Sequence, residues 1–246
     1  MNVCAADLHV HTALSPCAEN DMTPPALVER ALAEGLGMIA VCDHNSARNA
    51  AAVQEAAGAR LAVLAGMEIT TVEECHVVAL FPDAAAAEAA GAEVGATLGQ
   101  IDDGYETFFG EQHVLTADGR ERARETRALA TATTLDLDAA VRLVHDHGGL
   151  AIAAHIDRRS FGVIGQLGIF PDAAGFDAVE LSRHVAAGSP DEARFAVHGL
   201  AIVHSSDAHY QSDIGAVRTA VHCARPTFDE LALALAGARG RSVGDA

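Results

Sequence analysis

The sequence DLHVHT at residues 7–12 ends an apolar run that begins near Val3. The run predicts a β-strand, and alternate residues of a strand project from the same face. His9 and His11 are therefore expected to point the same way where the first strand ends. Two imidazoles side by side form half of a binding site for a divalent metal ion. This segment predicts a metal site built at a strand end.

Apolar runs and helical patterns alternate along the chain. Continuous apolar runs of this length are typical of strands covered on both faces, as in parallel sheets. The predicted strands cover residues 37–42, 61–67, 76–81, 150–154, 178–182 and 200–204. The predicted helices cover residues 24–35, 47–57, 83–94, 136–147, 190–198 and 227–236. This alternation predicts an α/β fold with a parallel sheet, either open or closed into a barrel.

A polar stretch at residues 98–134 interrupts the alternation. It contains the aromatic pair at 108–109 and a charged run at 120–127. We interpret it as an insertion with short elements of its own, either a lid over the site or a passive surface excursion. A length of 246 residues suits one α/β barrel. We therefore expect a single domain over residues 1–246.

The formal charge of −18, from 34 acidic and 16 basic residues, predicts a surface that repels polyanions. On this ground we expect no duplex nucleic acid as a partner. All 16 basic residues are arginine, which excludes a Schiff-base lysine, a P-loop lysine and a carbamylated lysine that bridges two metals. No stretch reaches the ~18 apolar residues of a membrane span, and no signal peptide is recognisable. We expect a cytoplasmic protein with no membrane partner.

Candidate metal ligands recur at the ends of the predicted strands. They are imidazoles and carboxylates spread along the chain: His9, His11, Asp43, His44, Glu68, His155, Asp207 and His209. His76 differs, because it lies at the start of its strand. The carboxyl ends of barrel strands converge on one face, so residues far apart in sequence can form one cluster. Glu68, a lone acid after an apolar run, is the natural carboxylate to bridge two ions.

Six stretches of the sequence, taken in order, resemble the polymerase and histidinol phosphatase (PHP) superfamily of metal-dependent phosphoesterases. They are DLHVHT at 7–12, VCDHN at 41–45, GMEIT at 66–70, CHVVAL at 75–80, AAHIDR at 153–158 and HSSDAH at 204–209. The resemblance implies a distorted seven-stranded (β/α) TIM-like barrel with a trinuclear site. The implied cofactors are two or three divalent ions of Zn, Mn or Fe.

The resemblance also implies a set of ligands for each ion. The first set is His9, His11, Glu68 and Asp207. The second set shares Glu68 and adds His76 and His155. The third set is His44, His209 and a residue of the loop after the first strand. Family members often have His or Asp in that loop, whereas this chain has Cys17, whose thiolate is a legitimate zinc ligand.

These patterns predict a hydrolase that cleaves a phosphomonoester or a small phosphodiester by means of a metal-bridging hydroxide. The expected substrate is a small phosphorylated molecule, a class that includes nucleotides and short oligonucleotides. Glu68 and Asp207 would act in catalysis through the metal ions. The planar fork of arginine matches phosphate, and Arg158, Arg159 and Arg183 follow strands that are expected to end at the site.

Two other functions are compatible with the sequence. An amidohydrolase-type deaminase shares the opening His-x-His and a late Asp. Many such enzymes bridge their metals through a carbamylated lysine, which this chain lacks. Mononuclear deaminases do not need that lysine, but they do not need Glu68, His76 and His209 either. The second alternative is a non-catalytic metal-binding PHP module, against which the near-complete ligand set argues.

Overall fold

The structure is a computed structural model that describes residues 2–197 and 199–245. Its strands are β1 (Asn2–Val10), β2 (Met38–Val41), β3 (Ala62–Thr70), β4 (His76–Phe81), β5 (His113–Leu115), β6 (Glu121–Arg124), β7 (Leu150–Ala153), β8 (Ala178–Leu181), β9 (Ala201–His204), β10 (Thr219–Cys223) and β11 (Ser242–Asp245). Its α-helices are α1 (Pro24–Ala33), α2 (Ala50–Ala57), α3 (Ala84–Ala96), α4 (Tyr105–Phe109), α5 (Leu137–Asp146), α6 (Val163–Leu167) and α7 (Phe228–Leu235).

Nine strands form one sheet in the order β11-β10-β1-β2-β3-β4-β7-β8-β9. The seven strands from β1 to β9 in this order make the barrel. The barrel is bridged between β1 and the segment after β9, where the backbone N–H of His11 donates to the carbonyl oxygen of Ala208 at 3.0 Å. Val10 and Ala208 also form a parallel bridge. The sheet is nearly closed, and the predicted distorted TIM-like barrel is confirmed.

The main distortion of the barrel is the direction of β4. β1, β2 and β3 are parallel neighbours, as are β7, β8 and β9, whereas β4 is antiparallel to both β3 and β7. The prediction of a parallel strand is therefore wrong for residues 76–81, because a buried strand has the same apolar composition in either direction. The reversal places His76, at the start of β4, at the barrel end where the parallel strands finish.

A bulge in β1 sets the direction of the first two imidazoles. Between residues 7 and 10, β1 advances by three residues while β2 advances by two, from 39 to 41. The extra residue moves Val10 to the outer face of the barrel, where it packs with the helix-covered core. His9 and His11 consequently face inward. Bulges next to functional sites commonly redirect side chains in this way.

Alternate strand residues form two apolar layers. On β2, Met38 and Ala40 belong to the cluster inside the barrel. Ile39 and Val41 belong to the cluster between the strands and the surrounding helices. Burial on both faces explains why the strands read as continuous apolar runs in the sequence.

Residues 98–134 contain the short helix α4 and the β5–β6 hairpin, which is a separate two-stranded sheet. Leu14 of the loop after β1 packs in one small cluster with Leu98, Val114 and Leu129. A Cβ added at Gly110 would collide with a carbonyl oxygen of that loop. The 98–134 segment therefore lies directly against the loop that follows β1.

The helical predictions agree with the structure except near residue 190. The predicted helix at 190–198 is reduced to the single 3₁₀ turn Glu192–Phe195, and its predicted last residue, His198, lies outside the described residues. α3 and α5 begin where the side chains of Asp83 and Asp136 accept hydrogen bonds from backbone N–H groups. Throughout the described residues, no helix combines the length and apolar character needed to cross a membrane.

Candidate metal centre

Imidazoles and carboxylates form overlapping groups at the barrel end where the parallel strands finish. In each group the ligand atoms lie within 4.8 Å of one another: His9, His11, Glu68 and Asp207; His44, Glu68 and His76; His11, His44 and His209. The Nε2 atom of His155 lies 3.2 Å from Oε1 of Glu68. The structure therefore brings eight of the nine predicted ligands together around one carboxylate, and the ninth, Cys17, borders them.

Glu68 lies at the centre of the cluster and is 1% exposed. Its Oε1 lies 2.7 Å from Nδ1 of His76, and its Oε2 lies 3.0 Å from Nδ1 of His44. Burial raises the pKa of this carboxyl group, but His76, His9 and His44 outweigh burial and hold the pKa well below its usual range. Glu68 is therefore ionised and can bind positive charge from two sides.

Glu180, at the end of β8, orients the imidazole of His9. Its two carboxylate oxygens lie 3.2 and 3.1 Å from Nδ1 of His9. Because a carboxylate only accepts, Nδ1 carries the proton and the Nε2 lone pair faces the cluster. Glu180 also accepts the backbone N–H of His155 at 3.2 Å. The sequence analysis missed this residue; the available signal was a lone acid inside the predicted buried strand 178–182.

Ser15 and Asp43 orient the imidazole of His11. The Ser15 hydroxyl donates to Oδ1 of Asp43 at 2.8 Å, and Nδ1 of His11 lies 2.9 Å from the same hydroxyl oxygen. Since the one hydroxyl proton is already donated, the oxygen accepts from Nδ1 and leaves the Nε2 lone pair facing the cluster. Thr12 donates to Asp43 through its backbone N–H and its hydroxyl, each at 2.7 Å, which fixes the loop after β1 to the end of β2.

The donor atoms of the cluster fit bound cations. The Nε2 atoms of His9 and His11 lie 3.2 Å apart with lone pairs directed at each other, so positive charge must lie between them. A proton on His9 or a metal ion supplies that charge: burial lowers the pKa of His9, but the surrounding carboxylates raise it well above its usual value. The buried Nδ1 atom of His155 has no hydrogen-bond partner. Mixed imidazole and carboxylate ligands suit Zn, Mn or Fe.

Asp207 connects the cluster to an arginine. Its Oδ1 lies 3.1 Å from Nε2 of His11, and its Oδ2 accepts from a terminal guanidinium nitrogen of Arg158 at 2.7 Å. Burial raises the pKa of the Asp207 carboxyl, but His9 and His11 hold it well below its usual range. Arg158 thus places a permanent positive charge at the edge of the candidate metal centre.

The other two predicted phosphate-binding arginines lie further out. Arg159 is exposed beside Arg158. Arg183 donates to Oδ2 of Asp213 at 3.2 Å, and its side chain is 48% exposed. For these two residues, contact with phosphate stays a prediction.

Cys17 borders the cluster on the loop after β1. Its sulfur lies beside the imidazoles of His44 and His209. Although the residue is exposed overall, partial burial of the thiol raises its pKa, and the two imidazoles outweigh this effect and lower the pKa to about 6. A thiolate beside two imidazoles is chemically suited to zinc.

Backbone strain is concentrated at this end of the barrel. Six non-glycine residues in the described part of the chain have positive φ, and four of them lie at the cluster or beside it: Asn45 (51°), His155 (29°), Phe161 (62°) and Asp207 (51°). Each such conformation costs about 1–3 kcal/mol and persists only where its surroundings enforce it. The strain indicates that the strand ends are bent to direct side chains toward the centre.

Solved structures share this architecture. Endonuclease Q from Pyrococcus furiosus aligns with a TM-score of 0.75 and 18% identity, over 98% of this chain and 58% of that chain. An amidohydrolase from Chromobacterium violaceum aligns with a TM-score of 0.59 and 24% identity, over 85% of this chain and 89% of that one. A candidate metal-dependent phosphoesterase from Bifidobacterium adolescentis aligns with a TM-score of 0.55 and 24% identity, over 83% and 87%. This chain thus spans 58% of the length of the endonuclease.

The expectation that duplex nucleic acid is excluded as a partner is wrong. Endonuclease Q has also been solved in complex with a 27-mer duplex substrate carrying an abasic lesion at its active site, and that structure aligns with a TM-score of 0.75 and 17% identity. The error has a physical cause. A net charge of −18 is a sum over the whole surface, whereas phosphate binding depends on the local arrangement of arginines and cations around the site.

Comparison with curated protein sequences gives no significant match. The model of one family, described as the PHP domain, matches residues 7–170. This segment is more than half of the chain and contains all but two of the predicted ligands, Asp207 and His209. The match, the barrel and the relatives that share it agree with the resemblance seen in the sequence motifs. This chain belongs to the PHP domain family.

Proposed function

We propose that this chain is a metal-dependent phosphoesterase that hydrolyses a phosphomonoester or a small phosphodiester. The observation that carries the proposal is the convergence of imidazoles and carboxylates on Glu68, with the Arg158 guanidinium bonded to Asp207 at 2.7 Å in the same cluster. Membership of the PHP domain family supports a metal-dependent hydrolase. A candidate phosphoesterase and an endonuclease among the proteins of this fold favour a phosphoester as the bond that is cleaved.

The proposed ligands serve two or three ions of Zn, Mn or Fe. The first set is His9, His11, Glu68 and Asp207; the second is Glu68, His76 and His155; the third is Cys17, His44 and His209. Divalent ions held there would polarise the phosphoryl oxygens and lower the pKa of a bound water. In the hydrolysis itself water adds to phosphorus, the ester P–O bond breaks, and the released alkoxide takes up a proton.

The chain's own residues provide position and charge. Arg158 has five N–H donors, and one of them is bonded to Asp207. The remaining donors can bind a phosphoryl oxygen while that ion pair holds the guanidinium in place. Arg159 and Arg183 are proposed to bind further phosphate charge at the same end of the barrel. Glu180 fixes the imidazole of His9, as described above.

We further propose that residues 1–246 act as one catalytic domain with an insertion at 98–134. Asp207 and His209 follow β9, beyond the segment that matches the family model. Their side chains nevertheless complete the ligand groups formed by residues near the start of the chain. The site therefore depends on both ends of the sequence.

The test is a substrate panel assayed with metal-quantified enzyme and with Mn, Zn and Fe added separately. The panel contains p-nitrophenyl phosphate, bis(p-nitrophenyl) phosphate, nucleoside monophosphates and histidinol phosphate, with adenosine and cytidine as deamination substrates. We expect metal-dependent ester cleavage that is lost in Glu68→Gln. Ammonia release without ester cleavage would instead support an amidohydrolase-type deaminase. Bound metal with neither activity would support a non-catalytic module.

A further inference from the structure

Phe161 has a backbone conformation that burial in the apolar core does not explain. Its φ is 62°, in the left-handed region, which is an outlier for a bulky side chain. Its side chain is on the surface, with the residue 41% exposed. An exposed aromatic ring thus occupies a strained position beside the proposed metal centre. Strain of this kind is found at sites where a side chain is held for a purpose.

Phe161 is held in place by two contacts with His76 and by the close packing of the next residue. The carbonyl oxygen of Phe161 accepts the backbone N–H of His76 at 2.8 Å. Its ring stacks on the His76 imidazole with a centroid separation of 4.5 Å and 22° between the planes. The next residue, Gly162, is packed so closely that an added Cβ would lie 2.5 Å from the carbonyl oxygen of Arg158. The aromatic surface is therefore preorganised, one imidazole away from Glu68.

The same turn carries guanidinium groups. Arg158 is bonded to Asp207 at 2.7 Å, and Arg159 is exposed three residues before Gly162. Arginine binds phosphate, and an exposed aromatic ring stacks on a nucleobase. A ring that served only to shield His76 from water would not require an exposed surface in a strained conformation. The combination on one turn matches the phosphate and the base of a nucleotide.

We propose that Phe161 is a stacking platform for a nucleobase, so that the substrate class of this site is a nucleoside phosphoester. The inference rests on the proposed phosphoesterase function and narrows its substrate. Phe161 binds the base and places the ester over the ligand cluster; the imidazoles, carboxylates and arginines act on the phosphoryl group. The residue therefore controls substrate selectivity.

The test compares AMP with ribose 5-phosphate, which has the same phosphomonoester and no base. Steady-state kinetics are measured on the full metal-loaded chain for wild type, Phe161→Ala, Phe161→Tyr and the control Phe108→Ala, which removes an 82% exposed ring from α4. We expect Phe161→Ala to lower kcat/KM about tenfold for AMP, mainly through KM, because stacking of one base on an aromatic ring has about this effect. For ribose 5-phosphate, we expect Phe161→Ala to change kcat/KM less than about twofold. Phe161→Tyr is expected to restore the preference for AMP over ribose 5-phosphate.

An equal loss for both substrates would overturn the platform and leave Phe161 as a shield for His76. Binding is measured separately, as saturation transfer from the protein to the adenine protons of AMP by NMR. We expect transfer in wild type, Phe161→Tyr and Phe108→Ala, and loss of transfer in Phe161→Ala. Transfer that persists in Phe161→Ala, or that is absent in wild type, would also overturn the platform. If wild type cleaves neither substrate, the NMR result still decides the role of Phe161. The proposed function itself fails only if no ester of the wider substrate panel is cleaved.

Discussion

Glu180 shows how one buried side chain controls the chemistry of another. It faces Nδ1 of His9 with both oxygens and accepts a backbone N–H at the end of β7. A carboxylate behind a ligating imidazole fixes the tautomer and makes the opposite nitrogen more basic. Glu180 is therefore a positioning residue, and its effect should be measurable on metal affinity.

Glu180→Gln is expected to weaken zinc binding about 10- to 100-fold, because an amide supplies one acceptor oxygen and no charge. The measurement is competition with a chromophoric chelator, with circular dichroism to establish that the variant is folded. Glu29→Gln is the matched control, since Glu29 is an exposed helical residue paired with Arg60. Equal zinc affinity in Glu180→Gln and wild type would show that this carboxylate does not support His9.

Cys17 is expected to be the fastest thiol to react with iodoacetamide in chelator-treated protein. The other four cysteines are buried, and burial raises the pKa of Cys4 and Cys75 to about 11. Because the thiolate is the reactive form and the pKa of Cys17 is lowered to about 6, the rate should rise through pH 6 and level off above it.

Mass spectrometry of the alkylated peptide measures the pH dependence of this reaction. Zinc added before the reagent should protect the sulfur, and Cys17→Ser should lack the fast phase. A rate that keeps rising toward pH 9, as for an ordinary thiol, would contradict the interaction of Cys17 with His44 and His209.

At the scale of elements, the loop after β1 is held between the barrel and the 98–134 segment. Gly110 follows α4 with a φ of 103°, and its backbone touches the carbonyl group of Pro16 in that loop. Cys17 is the next residue along the loop. Packing of the 98–134 segment therefore helps to position the thiol beside the imidazoles.

Gly110→Ala is expected to lower the free energy of unfolding by about 1–3 kcal/mol, because the added methyl group overpacks this contact and the φ is unfavourable for alanine. Urea-induced equilibrium unfolding measures the change. Gly104→Ala is the control, since its Cβ would meet no atom nearer than 3.6 Å. Equal stability of the two variants would mean that the close contact with Pro16 is not maintained in solution.

Sequence patterns predicted the elements whose periodicity is local. The six apolar runs correspond to β2, β3, β4, β7, β8 and β9. The direction of β4 could not be read, because burial on both faces looks the same in either orientation. The unusual place of His76, at the start of its strand, was visible in the sequence, and the reversal of β4 is its cause. The strands β10 and β11, which extend the sheet beyond β1, were missed.

The same distinction between local and long-range signals applies to the residues of the candidate site. Residues that follow apolar runs, such as Glu68 and Asp207, could be proposed as ligands from the sequence motifs. The roles of Glu180 and Phe161 could not be assigned in this way, because they come from partners far away in the chain. Glu180 meets His9 across 171 positions, and Phe161 meets His76 across the barrel end. Long-range pairing of this kind leaves no periodic signal.

For the molecule as a whole, the barrel converts a scattered set of acids and imidazoles into one centre. Asp207 and His11 are 196 positions apart, yet their side chains lie within 3.1 Å. The closure of the sheet between β1 and the segment after β9 is what joins them. The distribution of charge is also local, since a strongly acidic chain still places the Arg158 guanidinium against Asp207 in the ligand cluster.

The central claim is that these residues bind metal ions as one cluster around Glu68. Its most direct test is element-resolved mass spectrometry of purified protein loaded with Zn, Mn or Fe and then freed of excess ions. We predict two or more ions per chain in wild type and in the control Glu55→Gln, which changes an exposed acid of α2, and less than about one in Glu68→Gln. Wild type without bound metal, or Glu68→Gln with as much metal as wild type, would contradict the account.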